Sequence, residues 1–168
     1  MKRIGLLSDT HGFFDTRLLE HFKDCDEVWH GGDWGDGVAE QIESNFKIVR
    51  GVYGNIDGRF IRSKYPEDLF FEVEGLKVYI THIGGYPSRY APKVKEKIDA
   101  FKAGLFVSGH SHILKVMPDK ARPGLLHINP GAAGISGFHI FRTAVRFGVE
   151  RGIVKNLEVI QLGKRSAL

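Results

Sequence analysis

Cysteine is nearly absent from this chain: one residue, Cys25, in 168. It has no intramolecular partner, so the fold must rest on a core without a disulfide. At this length a folded chain buries roughly 70% of the surface its unfolded form exposes, which suffices. Long apolar runs are also missing. Ile4-Gly5-Leu6-Leu7 after Met1-Lys2-Arg3 has the outline of an export signal, but Ser8-Asp9-Thr10-His11 ends it early. No stretch approaches the ~20 apolar residues that cross a bilayer, so a soluble, cytoplasmic protein without a membrane partner is expected. Charge of one sign is scarce as well: 24 Lys and Arg against 20 Asp and Glu leave a net charge of +4, with the basic residues spread along the chain. A nucleic acid polymer selects a gathered basic face and is therefore not the expected partner. The chain shows no repeat, low-complexity tract or linker, and a single domain over residues 1–168 is expected.

What is abundant is glycine, 21 residues, together with eight histidines. Many of these glycines stand beside His, Asp or Asn, which suggests loops bending sharply around something. Arg3–Leu7, Glu27–His30 and Lys47–Val52 read as strands. Helices are expected between them, over Asp15–Lys23 with Asp15 as N-cap and over about Gly37–Asn45. Strand-loop-helix units of this length imply parallel strands joined by right-handed crossovers. Leu69–Val73 and Leu76–Thr81 read as a hairpin turning at Glu74-Gly75, Ile83–Pro92 as a loop, Val94–Ala103 as a helix and Leu105–Val107 as a strand. The last third reads mostly as strands: Ile113–Met117, Leu125–Ile128, Ile140–Val149 and Leu157–Leu162.

The chemistry-bearing residues follow the expected strands. Asp9 and His11, Asp33, Asn55, His82, and His110 with His112 all sit just past apolar strand ends, where open α/β sheets collect ligands. Seven such side chains exceed what one catalytic ion uses while leaving room for water and substrate, so two ions are expected. A pair of ions needs a bridging carboxylate, and Asp33 is the natural candidate. Mixed His, Asp and Asn donors suit Mn²⁺, Fe, Zn²⁺ or Ni²⁺, with Mn²⁺ preferred here, and disfavour the all-oxygen cage of Ca²⁺.

In order and spacing, Ser8-Asp9-Thr10-His11-Gly12, Gly32-Asp33, Gly54-Asn55-Ile56-Asp57, Thr81-His82 and Gly109-His110-Ser111-His112 resemble the metal motifs of the calcineurin-like metallophosphoesterase superfamily. The short length and Asn129-Pro130-Gly131 resemble its small bacterial and archaeal phosphodiesterase branch. The resemblance implies an α/β (α+β) fold, a four-layer αββα sandwich of two mixed β-sheets flanked by helices. It implies that Asp9, His11 and His112 hold one divalent ion, that Asn55, His82 and His110 hold the other, and that Asp33 bridges them. The expected function is metal-dependent hydrolysis of small phosphodiesters, in which a hydroxide shared by two ions attacks phosphorus in line. Asp33, Asn55 and His110 are the residues expected closest to the chemistry. Larger relatives place a proton-donating His after the metal-binding Asn; here Ile56 stands there and cannot transfer a proton. That departure favours diesters with good leaving groups. A phosphomonoesterase or nucleotide phosphatase, a protein-interaction scaffold like the retromer subunit of this fold, and a nuclease are the competing readings.

The remaining polar residues carry plainer expectations. His30 either orients a ligand or is a satisfied strand-end ring, and His127 leans to the latter; His21 and His139 have no motif behind them. Asp36 is expected as a helix N-cap and Asp57 as a structural acceptor, with Trp29 and Trp34 as core or wall aromatics. Carboxylates on either side of Cys25 should raise its thiol pKa. Tyr86, Arg89 and Tyr90 could meet a phosphate and an aryl group. Arg142 and Arg146 are expected on the exposed face of a strand, and the apolar Gly134–Phe141 stretch could line a contact between copies of the chain.

Overall fold

The computed structural model describes residues 1–166. Three parallel strands, β1 (Lys2–Leu7), β2 (Glu27–His30) and β3 (Val49–Gly51), begin one sheet, with α1 (Arg17–His21) and α2 (Val38–Asn45) as crossovers. The chain then passes through α3 (Arg59–Lys64) and enters the second sheet by the hairpin β4 (Asp68–Val73) and β5 (Leu76–Thr81). A small ribbon follows, β6 (Gly85–Tyr86) with β7 (Arg89–Tyr90), and then α4 (Val94–Phe101), β8 (Leu105–Val107), β9 (Leu114–Pro118) and β10 (Leu126–Pro130). Two long strands, β11 (Phe141–Glu150) and β12 (Ile153–Lys164), return to the first sheet. The strand orders are β12-β11-β1-β2-β3 and β4-β5-β8-β10-β9. Each sheet is mixed: in the first the parallel strands β1, β2 and β3 form one side, with β3 at the edge and antiparallel β11 and β12 on the other side, and in the second the parallel β5, β8 and β10 are central between antiparallel β4 and β9. This is the expected two-sheet sandwich with helices.

Period-two alternation builds the layers. Ile4 and Leu6 of β1, Val78 and Ile80 of β5, Leu105 and Val107 of β8, and Val145 and Phe147 of β11 point between the sheets. Their neighbours point outward. Leu7 and Ala144 meet Leu18, Phe22, Val38 and Ile42 of the α1–α2 layer, while Tyr79 and Phe106 meet Val94 and Ile98 of α4. The hairpin and most strands lie where expected. Strand β3 is shorter than predicted, and the loop after His82 folds into the β6–β7 ribbon.

One local expectation is met and several are corrected. Helix α1 is assigned from Arg17 with Thr16 before it, yet Thr16 is already helical and carries no side-chain cap, and Asp15 Oδ1 accepts the Arg17 amide at 3.1 Å, the bond expected of a capping carboxylate. Beyond that expectation, Asp15 also accepts from the Arg17 guanidinium and from the buried Arg142. Arg142 lies on the helix-facing side of β11, so its strand face is covered where exposure was expected; Arg146 on the same face remains exposed and pairs with Glu158. Asp36 does not cap α2, which starts after Gly37. The thiol of Cys25 is pushed up to about 11, with burial the main cause and Asp24 and Asp26 minor ones. Helix α3 had no sequence signal, because Ile61 is its only buried residue. Among the described residues no helix is long and apolar enough to cross a membrane. Phe138 and Ile140 stand exposed on the connection before β11.

Candidate metal centre

The parallel strands of both sheets end at a common crevice. Asp9 and His11 follow β1, Asp33 follows β2, Asn55 follows β3, His82 follows β5, and His110 and His112 follow β8. Backbone bonds lock the loops together: Asp9 N–H donates to Gly32 O, His11 N–H to Asp33 O, and Gly109 N–H to His82 O. The loops therefore reach the crevice as one frame.

Two donor groups result. Ligand atoms of Asp9, His11 and His112 lie within 4.8 Å of one another, and so do those of Asp33, His82 and His110. Asn55 Oδ1 lies 2.9 Å from His110 Nδ1 and so joins the second group. Asp33 Oδ2 lies between the groups, 3.4 Å from His11 Nε2 and 3.2 Å from His82 Nε2. All seven predicted side chains are thus brought together.

Neighbouring bonds orient most of them. Ser8 Oγ donates to Asp9 Oδ2 at 2.6 Å, and the His110 amide donates to the same oxygen. The Ile56 amide holds Asp33 Oδ1 at 3.0 Å. His82 Nδ1–H donates to Gly31 O at 2.7 Å, leaving the Nε2 lone pair toward the carboxylates. For His112 the partner is another imidazole. His139 Nε2–H donates to Gly134 O at 2.9 Å, so its Nδ1 accepts from His112 Nδ1–H at 3.2 Å and His112 Nε2 is left as a free donor atom. His139 was missed in the sequence because it lies 27 residues from His112 and outside every motif.

Other neighbours hold the loops. His30 takes the Gly32 amide at Nδ1, bonds Thr10 through Nε2 and stacks on Trp34, its rings 3.8 Å apart, so it braces the Asp33 loop. Asp57 accepts from the Gly35 and Gly54 amides, as expected of a structural acceptor. Gly54 leaves space for Asp33: a Cβ there would stand 2.0 Å from Asp33 Oδ1. Gly32, at φ +99°, has the same role for His82, whose Nδ1 would be 2.6 Å from a Cβ.

Two independent features say that this frame is built for cations. Asp9 Oδ1, His11 Nε2 and His82 Nε2 are three of the five buried side-chain atoms without a hydrogen-bond partner among the described residues. Such an atom costs roughly 1–3 kcal/mol when left unpaired. Lone pairs of imidazole and carboxylate face one another here, an arrangement that only a proton or a metal ion relieves. Asp9, His11, Asp33, His110 and His112 also have positive φ, between 46° and 66°. Each such non-glycine residue costs roughly 1–2 kcal/mol, and strain of this kind gathers at functional sites. Titration agrees. Burial opposes the charge on His82, but Asp33 and Asp9 outweigh it and hold the ring above its ordinary value. Burial likewise opposes ionisation of Asp33, and the His82 ring, the Ile56 amide and His11 hold its carboxyl below the usual range.

Fold and donor set together define a metal-binding two-sheet sandwich. Residues 1–152 match the sequence model of the calcineurin-like phosphoesterase superfamily domain, and the chain belongs to that family. Membership implies a phosphoric ester hydrolase that works with divalent metal ions. Over 137 residues the chain is 26% identical to a probable metallophosphoesterase of Methanothermobacter thermautotrophicus, an alignment covering 77% of this chain and 76% of that one. A solved archaeal phosphodiesterase superposes with a TM-score of 0.72 at 22% identity, over 95% of this chain and 99% of that one. Vps29 of Entamoeba histolytica complexed with Zn²⁺ superposes with a TM-score of 0.71 at 14% identity, over 95% and 98% of the two chains. At these identities the superpositions speak to the fold alone.

Proposed function

We propose that this chain hydrolyses small phosphodiesters with two divalent cations. Asp9, His11 and His112 hold one, Asn55, His82 and His110 hold the other, and Asp33 contributes to both. The observation that carries this reading is Asp33 Oδ2, within 3.4 Å of a nitrogen from each donor group. When bound, the cations supply Lewis-acid stabilisation of the phosphoryl oxygens and bring the pKa of a water to about 7.

The chain's own residues do the rest. Asp9 and Asp33 supply buried negative charge that offsets the desolvation of the cations, and neutral imidazoles complete each set. Asn55 and His110 stand at the exposed rim, where a phosphate arrives. Ile56 is half-exposed beside them and has no proton to give, so the alcohol must leave as its anion or take a proton from water. Diesters with acidic leaving groups are therefore preferred. Mn²⁺ is the preferred ion of the proposal, with Fe, Zn²⁺ and Ni²⁺ also suited to the donors.

The test compares bis(p-nitrophenyl) phosphate with p-nitrophenyl phosphate after metal removal and reconstitution. The diester should be turned over faster, with two ions per chain by elemental analysis. Faster monoester hydrolysis would make the chain a phosphomonoesterase. A metal-free protein inert with every divalent ion would leave a scaffold.

A further inference from the structure

Asn55 and Ile56 lie on an exposed turn, and two parts of the proposed metal centre depend on it. The Asn55 side chain is a donor of the second group, and the Ile56 amide holds Oδ1 of the shared Asp33 at 3.0 Å. The turn has few means of holding itself. Gly54 carries no side chain, and a Cβ there would stand 2.0 Å from Asp33 Oδ1. Asn55 turns its side chain to the centre, and Ile56 is 45% exposed.

The polar backbone of the turn is taken from two sides. Asp57 Oδ2 accepts the Gly54 amide at 2.7 Å. The carbonyls go to Arg62 of α3, whose Nε donates to Asp57 O at 2.6 Å while Nη2 is shared between Gly54 O and Asn55 O, each at 3.4 Å. The same guanidinium lies over the Tyr53 ring, 4.4 Å from its centroid. None of these partners is a carboxylate. Tyr53 is fixed in turn, because its amide donates to Pro66 O at 3.0 Å and its hydroxyl to Glu67 Oε2 at 3.1 Å. Glu67 O accepts from Thr81 Oγ1 at 3.4 Å, next to His82. Arg62, Asn55 and His82 thus line one cavity of about 200 Å³.

On charge alone a guanidinium beside a site built for cations is unfavourable, so its place has another reason. A planar fork of N–H donors can meet three carbonyls of one turn while its face rests on a ring, and a point charge on a flexible stem cannot. Resting on the two-cation reading above, we propose that Arg62 is a positioning residue of the metal centre: by clamping the Gly54–Asp57 turn it sets Asn55 Oδ1 for one cation and, through the Ile56 amide, the Asp33 carboxylate for both. It acts through the turn and touches neither cation nor substrate. The Asp9, His11 and His112 group is oriented separately, by Ser8 and His139.

The experiment titrates the metal-free protein with Mn²⁺ by calorimetry. Wild type should take up two ions, and in Arg62→Ala one of the two dissociation constants should rise roughly tenfold to a hundredfold. Loss of a positive charge by itself would lower that constant, so the sign of the change separates a clamp from a charge. Arg62→Lys keeps the charge but reaches fewer carbonyls; it should raise the same constant by a smaller factor, and it decides the matter if Arg62→Ala does not fold. Arg59→Ala removes another exposed cation of α3 and should change neither constant by more than about twofold. Arg62 variants that bind both ions as tightly as wild type, or more tightly, overturn the proposal, even where the Tm of the metal-free protein falls. A wild type that takes up fewer than two ions overturns the two-cation reading and the clamp with it. Two ions without turnover of bis(p-nitrophenyl) phosphate, combined with the expected loss in Arg62→Ala, sink the phosphodiesterase and keep the clamp.

Discussion

Two clusters of buried charge flank the first sheet, and they differ in how far their charges are paired: in the first every carboxylate oxygen is taken and only Arg142 Nε lacks a partner among the described residues, whereas in the second lone pairs face one another. Beside α1, the Asp15 carboxylate accepts from Arg17 Nε and Nη2 and from Arg142 Nη1, and Arg142 Nη2 passes on to Leu162 O. At the strand ends, Asp9 and Asp33 face His11, His82 and His112, yet Asp9 Oδ1, His11 Nε2 and His82 Nε2 find no hydrogen-bond partner among the described residues. Both clusters are buried and both join residues remote in sequence. The backbone separates them too, since the second cluster sits largely on left-handed residues and neither Asp15 nor Arg142 has a positive φ. Burial of charge alone therefore does not mark a functional site. Lone pairs that face one another on a strained frame do, because a folded chain keeps such costs only where a ligand or the chemistry offsets them.

That contrast can be broken from either side. Asp33→Asn removes the charge shared by the two donor groups, and kcat/KM for the diester should fall by roughly a thousandfold. Elemental analysis should show fewer than two ions per chain, while the Tm of the metal-free protein stays close to wild type. A variant that keeps two ions and full turnover would remove Asp33 from the centre.

Asp15→Ala acts on the paired cluster. It leaves Arg142 buried without its carboxylate, which costs roughly 3–5 kcal/mol, read by urea unfolding, while metal content is unchanged. The same residue sets a pH dependence. Arg17 above all, with Arg142 adding to it against burial, holds the Asp15 carboxyl well below the usual carboxylate range. The unfolded chain therefore takes up this proton at higher pH than the folded one. The stabilisation is complete above about pH 5 and is lost as the pH falls through the acid range below it. Asp15→Ala should flatten this slope; an unchanged slope would show that the pair contributes nothing there.

The smallest effect tests how finely the open cluster is positioned. His139→Ala removes the acceptor that fixes His112, and metal affinity at one of the two sites should fall roughly ten- to a hundredfold, with the other site unaffected. His139→Asn, whose Oδ1 can accept from His112 Nδ1–H, should recover part of it. A purely structural role for His139 would lower the Tm and leave both affinities alone.

Much of this arrangement is legible in the residues themselves. Asp9, Asp33 and His110 each follow a short apolar run, and in a parallel sheet that position is at the ligand-collecting edge. The hairpin at Glu74-Gly75 is equally local, as are the alternations of β1, β5 and β8. What is not legible depends on contacts at a distance. Arg142 on β11 reads as an exposed strand residue until the strand is placed against α1, 127 residues away, where Asp15 receives it. His139 has no neighbour in sequence to suggest that its ring turns toward His112. Asp36 has the residue type of a cap, but the chain turns through left-handed Gly37 before α2 begins.

The order of residues, taken alone, decided which side chains would end the strands and which faces would be apolar, because both follow from the two-residue period of extended chain. It also decided the kind of donors on offer: carboxylate, imidazole and amide in a borderline mixture. Only the packed chain decided that these donors would meet in two groups around Asp33, and that a cavity lined by Arg89 and Lys115 would open beside them. Those outcomes depend on how two sheets are set against each other, and that arrangement is a sum over many weak contacts that no single segment carries.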